Sequence, residues 1–298
     1  MSLRIVAVAA MDAAKLEAEV SSELGRVAPS RSLGSVDGLV ALEWHLPGDE
    51  DEAARLRARL TDKGHPVDTA VLPAGSGRKR LLISDMDSTI IGQECLDELA
   101  DFAGLKAEVS AITERAMRGE LDFEGALTTR VAMLKGLGLD ALEQAYSERI
   151  TLNPGAKTLV ETMKADGAET VLVSGGFTYF TSRVAAAAGF HTHRGNTLID
   201  DGKALTGEVG RPILGREAKL SALDEFAAAK GIGRGDVIAM GDGANDLAMI
   251  KASGLGIAYH AKPVVAAEAH AAIEHTDLRA ALFFQGYEAK EFIGRGGG

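Results

Sequence analysis

Apolar residues recur along this chain in two rhythms. Short runs stand at 81–84, 170–173, 237–240 and 255–258, the first three closed by Ser, Gly or Asp. Such runs mark strands buried on both faces, the kind found in parallel sheets. Between them, apolar positions return every three or four residues, at 154–166, 178–188, 216–230 and 244–252, which predicts helices. The alternation of strand and helix from residue 153 onward predicts an α/β core built on a Rossmann-like parallel sheet. One or two further helices are expected over 263–284, and the terminal IGRGGG is expected to be disordered.

Two stretches break that alternation. Directly after the first buried strand, helical patterns at 93–103, 106–119, 122–136 and 139–150 follow one another with no strand between them. A helical cap over about 93–150, inserted after the first strand, is the expected result. The segment 191–209 holds Gly and Asp turns between short strands and reads as a hairpin.

The N-terminal part has a rhythm of its own. A strand over 3–9, a helix over 12–25, turn residues from Gly34 to Gly38, an alternating run to Leu46, a charged helix over 50–62 and a strand over 67–72 give the order βαββαβ. That is the ferredoxin-like α+β arrangement, and it resembles the ACT-type regulatory domains. Residues 1–74 are therefore read as an ACT-like regulatory or dimerisation domain, and 75–298 as the catalytic domain. The stretch 74–80, AGSGRKR, reads as a solvated linker between them. A sheet-bearing N-terminal unit is compatible with a homodimer.

Composition narrows the function. The 298 residues carry 32 Lys and Arg against 43 Asp and Glu, a formal net charge of -11. No clustered basic footprint for nucleic acid or an anionic membrane is present in such a chain, so neither is expected as a partner. No apolar window approaches a spanning helix. The single cysteine, Cys95, rules out an internal disulfide, and the chain reads as cytoplasmic.

The chemistry lies where the apolar runs stop. ISDMDST ends in Asp85 and Asp87, VLVSGGF in Ser174 and Gly175, and IAMGDGAND in Asp242 and Asp246. If the three strands are neighbours, these groups converge at one sheet edge, where α/β ligands bind. Two carboxylates at about 4 Å repel by roughly 4 kcal/mol at an effective dielectric of about 20. Asp85 and Asp242 thus favour a divalent cation between them, and an oxygen-only set favours Mg²⁺ over zinc. Such a site suits phosphoryl transfer through a covalent intermediate, with Asp85 attacking and Asp87 moving the proton. Ser174, the N–H groups near Gly175 and Lys219 would hold phosphoryl oxygens. His191 and His193 form an H-x-H outside this edge and read as structural or surface residues.

D-x-D-S-T, S-G-G-F, a Lys and G-D-G-x-N-D, in this order, resemble the haloacid dehalogenase superfamily of phosphatases over about 81–274. Glu94 and the segment AMRGELDFEGALTTRVAML at 116–134 are similar to the cap of its phosphoserine phosphatases. The resemblance implies Asp85 as nucleophile, Asp87 as general acid and base, and Asp85, Asp242 and the Asp87 carbonyl as Mg²⁺ ligands. It implies that Glu94 and Arg130 read the ammonium and carboxylate of O-phospho-L-serine, with Met117 and Phe123 packed over it. Ser174, Gly175 and Lys219 would bind phosphate, Asn245 would contact it, and Asp246 would support the metal shell. The implied reaction is the last step of L-serine biosynthesis. Two rivals stand beside it: a relative acting on another phosphomonoester or transferring the phosphoryl group to a second alcohol, and an amino-acid sensor with an inert phosphatase half.

Overall fold

The computed structural model describes residues 2–61, 64–117 and 120–294, without the side chains of Thr61, Glu114, Ala116 and Met117. The expected disorder of the last residues falls, for 295–298, outside the described ones. The chain opens with β1 (Ser2–Ala9), α1 (Ala13–Glu23), β2 (Arg31–Val36), β3 (Leu39–Pro47), α2 (Glu50–Thr61) and β4 (Asp68–Pro73). The four strands lie antiparallel in the order β2-β3-β1-β4, the ferredoxin-like arrangement. Strand alternation divides the side chains between two faces. Leu3, Ile5, Ala7 and Ala9 close a core with Leu16, Val20, Leu56 and the fully buried Trp44 under the two helices, while Val6 and Val8 face the other way.

The turn is narrower than the glycines suggest. Gly34 lies inside β2 at a register shift, and Asp37 and Gly38 make the reversal. A side chain at Gly34 would stand 3.1 Å from the Ala289 Cβ. Glycine is used there for close approach of the C-terminal segment, not for chain reversal.

The second half begins with β5 (Leu81–Ser84). Four cap helices follow it, α3 (Cys95–Phe102), α4 (Lys106–Met117), α5 (Phe123–Met133) and α6 (Asp140–Arg149). The core resumes with α7 (Ala156–Ala165), β6 (Glu169–Phe177), α8 (Thr178–Ala188), β7 (Thr192–Asn196), β8 (Leu198–Asp200), β9 (Leu205–Val209) and α9 (Arg216–Ala229). It ends with β10 (Val237–Gly241), α10 (Leu247–Ala252), β11 (Leu255–Tyr259), α11 (Pro263–Glu268), β12 (Ala271–Ile273) and α12 (Ala280–Phe284). Strands β12-β11-β10-β5-β6-β7 run parallel, with β5 between β10 and β6. Both faces are covered: Leu81, Ile83, Val171, Val237 and Ala239 pack on α9 and α10, and Leu82, Leu172, Ile238 and Met240 pack on the opposite side. Burying each large aliphatic side chain stabilises the fold by about 1.5–3 kcal/mol relative to exposure.

Three sequence expectations change. Segment 191–209 is not one hairpin: β7 joins the large sheet beside β6, and the hairpin is β8 with β9. As an edge strand, β7 is only half-buried and lacks the apolar run that marks its neighbours. The stretch 263–284 holds the two expected helices, but between them the Ala-rich 271–273 forms the unexpected strand β12, which pairs parallel with β11 and meets β4 at Ala70, so both halves share one ten-stranded sheet. The supposed linker is anchored. Arg78 donates to both Glu291 carboxylate oxygens at 2.7 and 2.8 Å and lies over the Tyr287 ring, while Lys79 is buried, donating from Nζ to the Gly235 carbonyl at 2.8 Å. Composition records the small residues of 74–80 but not the tail they cross.

Candidate active site

The ends of β5, β6 and β10 are level. Ser84 pairs with Met240 on one side and Leu172 on the other, which sets Asp85, Ser174 and Asp242 at one edge of the sheet. The Asp85 carboxylate accepts the Met86 N–H at 2.8 Å through Oδ1 and pairs with Lys219 Nζ at 2.8 Å through Oδ2. Lys219, on the first turns of α9, also pairs with Asp246 at 2.6 Å. Lys219 and Asp246 are almost wholly buried, and an isolated charge there would be strongly disfavoured. Gly241 explains how Asp246 fits: a Cβ at 241 would lie 2.3 Å from the Asp246 carboxyl carbon.

Asp87 is turned away from that group. Its Oδ1 accepts the Cys95 N–H at 2.9 Å, and its Oδ2 accepts the Ser174 hydroxyl at 3.0 Å. The Ser174 hydroxyl oxygen in turn accepts the Gly176 N–H at 2.8 Å. Just after the second aspartate the chain turns, and Ser88 takes a left-handed φ of 52°. Strain of that kind at a non-glycine residue collects at functional sites.

The cap supplies the opposite wall. Phe123, at the start of α5, is held by the Asp122 cap, whose carboxylate accepts the Gly125 N–H at 2.8 Å. Its ring would stand 3.1 Å from a Cβ at Gly175, so it lies directly over that loop. Glu94 accepts the Ser88 hydroxyl at 2.7 Å at the exposed mouth of the site. Arg130 donates to the Ala126 carbonyl and to the Thr113 hydroxyl. Asn245 folds its Oδ1 over Gly243 in the loop after β10. The side chain of Met117 lies outside the described residues.

Charge crowding dominates the electrostatics. Burial and the neighbouring Asp246 push the Asp85 carboxyl well up, and Lys219 pulls it only part of the way back. Burial and Asp246 likewise push Asp242 up to about 6. Burial opposes the charge on Lys219, but Asp246 and Asp85 outweigh it and hold the ammonium on. Although Glu94 is exposed, the protein around its carboxyl and the charge of Asp87 push it up to about 7. Ligand oxygens of Asp85, Asp242 and Asp246 all lie within 4.8 Å of one another. Three carboxylates sharing one ammonium are short of positive charge, and an oxygen-only donor set of this kind fits a hard divalent cation.

Several residues outside the sequence reading shape the site. Asn196 donates from its amide to the carbonyls of Gly175 and Leu214 and accepts the Leu214 N–H, fixing the loop after β6. Asn153 donates to the carbonyls of Thr89 and Ile90 at 2.8 Å, tying the return from the cap to the loop after Asp87. A buried asparagine far away in sequence gives no periodic signal. His191 and His193 bond to Thr170 and Thr181 and take no part in the site.

The haloacid dehalogenase-like hydrolase family model matches residues 82–251. A phosphoserine phosphatase of Streptomyces coelicolor is 41% identical over 85% of this chain, which spans 62% of that relative's length. A solved HAD family hydrolase from Salmonella enterica serovar Typhi superposes with a TM-score of 0.85 at 31% identity, over 95% of this chain and 98% of that one. The solved phospho-aspartyl intermediate analogue of a phosphoserine phosphatase is 40% identical, with a TM-score of 0.64, over 70% of this chain and 99% of that one. With its strand-end acids, its lysine and its cap in the places described, the chain belongs to the haloacid dehalogenase-like hydrolases, in the branch of the phosphoserine phosphatases.

Proposed function

We propose that this chain hydrolyses O-phospho-L-serine to L-serine and phosphate through an aspartyl-phosphate intermediate, with Mg²⁺ as the required ion. The observation that carries this reading is the nearness of two charge sets. Asp85, Asp87 and Lys219 lie at the sheet edge, while Glu94 and Arg130 lie on the cap side, where Arg130 feels the charges of Asp97, Glu94 and Asp87. A phosphorylated amino acid needs one acid for its ammonium and one planar cation for its carboxylate, and this pair supplies both. Asp85, Asp242 and the Asp87 carbonyl would hold Mg²⁺, with Asp246 behind them. Bound there, the ion neutralises phosphoryl charge and relieves the repulsion among the acids.

In the first half-reaction an Asp85 oxygen forms a bond to phosphorus as the bond from phosphorus to the seryl oxygen breaks. Asp87, protonated, gives its proton to that oxygen. In the second, Asp87 takes a proton from a water whose oxygen bonds to phosphorus, the bond to Asp85 breaks, and phosphate leaves. Ser174, Gly175, Lys219 and Asn245 hold the phosphoryl oxygens, and Phe123 covers the substrate. The element order supports an N-terminal unit over 1–74 with a regulatory or dimerising role beside a catalytic unit over 75–298.

Phosphate release from phosphoserine, phosphothreonine, phosphohomoserine and a sugar phosphate, each with and without Mg²⁺, tests the assignment. Phosphoserine is expected to lead, and only with the metal. Asp85→Asn should keep the circular dichroism spectrum and lose turnover by at least about a thousandfold. A sugar phosphate turned over fastest, or an active Asp85→Asn variant, would refute it.

A further inference from the structure

The guanidinium of Arg130 is not placed by its own helix alone. Nε donates to the Ala126 carbonyl, one turn back on α5, at 3.2 Å. Nη1 donates to Thr113 Oγ1 at 3.0 Å, and Thr113 belongs to the neighbouring cap helix α4. The Thr113 hydroxyl has a single proton, and it is committed to the Val109 carbonyl at 3.1 Å. Its lone pairs are what remain, so the hydroxyl can only accept from the arginine. Two acceptors on two helices thus fix the plane of the fork.

What this leaves open matters for recognition. With Nε and one Nη1 proton taken, the second Nη1 proton and Nη2 form the end of the fork, and Nη2 makes no hydrogen bond with the described residues. That end matches the two oxygens of a carboxylate. A free arginine side chain would have to be ordered on each encounter, at a cost in rotamer freedom. Here α4 orders it beforehand.

We propose that Thr113 is a positioning residue for substrate specificity, holding Arg130 with its fork end turned to the carboxylate of a phosphorylated amino acid. The proposal rests on the reading of Arg130 given under Proposed function. Thr113→Val keeps the β-branched shape and removes the acceptor, and Thr113→Ser keeps the acceptor. The full chain with Mg²⁺ is assayed on O-phospho-L-serine and on O-phosphoethanolamine, which has the phosphate and ammonium but no carboxylate.

Thr113→Val is expected to raise KM for phosphoserine about tenfold with kcat little changed. Its kinetics on phosphoethanolamine should match those of the wild type, which also shows that the variant folds, and Thr113→Ser should restore phosphoserine KM. Equal losses on both substrates, or no change on phosphoserine, would overturn the proposal while leaving the phosphoserine assignment intact. A wild-type chain with no preference for phosphoserine over phosphoethanolamine would instead overturn the role of Arg130, and the role of Thr113 with it.

Discussion

At the scale of single residues, the two aspartates of DMDST are separated by their partners. Asp85 is matched with a buried ammonium, while Asp87 is held by a backbone N–H and a hydroxyl. Spacing alone suggests that they differ; only the contacts say how. Glu94 gives a prediction at this scale. Its carboxyl is pushed up to about 7, first by the protein packed around it and then by Asp87, so below that pH the free chain loses the negative charge that would meet an ammonium. The kcat/KM for phosphoserine should fall as pH drops from 8 to 6. In Glu94→Gln the profile should be lower and lack the limb near 7, as comparison of the two pH profiles would show. For stability the sign is opposite. Between the ordinary 4.5 and about 7 the folded chain holds a proton that the unfolded chain has released. That contribution is full below 4.5 and lost as pH rises through 7.

At the scale of elements, the site is a property of strand ends. The runs at β5, β6 and β10 are legible because burial on both faces leaves a local apolar signature, and the acids that close them are legible for the same reason. What the pattern does not carry is the spacing between neighbouring strands. Gly176 shows the difference: a Cβ there would lie 2.9 Å from Asp87 Oδ2 and 3.0 Å from Ser174 Oγ. Gly176→Ala should displace Asp87 and lower kcat by about a hundredfold. Its urea midpoint should stay close to that of the wild type, because the displaced Asp87 carboxylate is only half-buried. The edge strand β7 and the short β12 were hidden for a related reason. Each draws its stability from a neighbour, not from its own periodicity.

At the scale of the whole molecule, the N-terminal unit is built into the catalytic one. The sheet face that carries Val6 and Val8 is covered by Phe283, Phe284, Tyr287 and Phe292 of the chain's own C-terminal segment. Asp68, at the start of β4, accepts the N–H groups of Glu274, His275 and Thr276 and the Thr276 hydroxyl. Nothing in residues 60–75 announces this, since the partners lie more than 200 residues away. Asp68→Ala would leave those donors without their shared acceptor and should cost about 1–2 kcal/mol in urea unfolding. Arg4 extends the same seam, pairing with Glu43 and donating to the Phe284 carbonyl at 2.7 Å, across 280 positions of sequence. The consequence concerns biosynthesis. During translation the N-terminal unit leaves the ribosome with an unpaired strand edge and an uncovered apolar face, and the segments that close both follow more than 200 residues later. Over that interval the open strand edge and apolar face expose the nascent chain to aggregation.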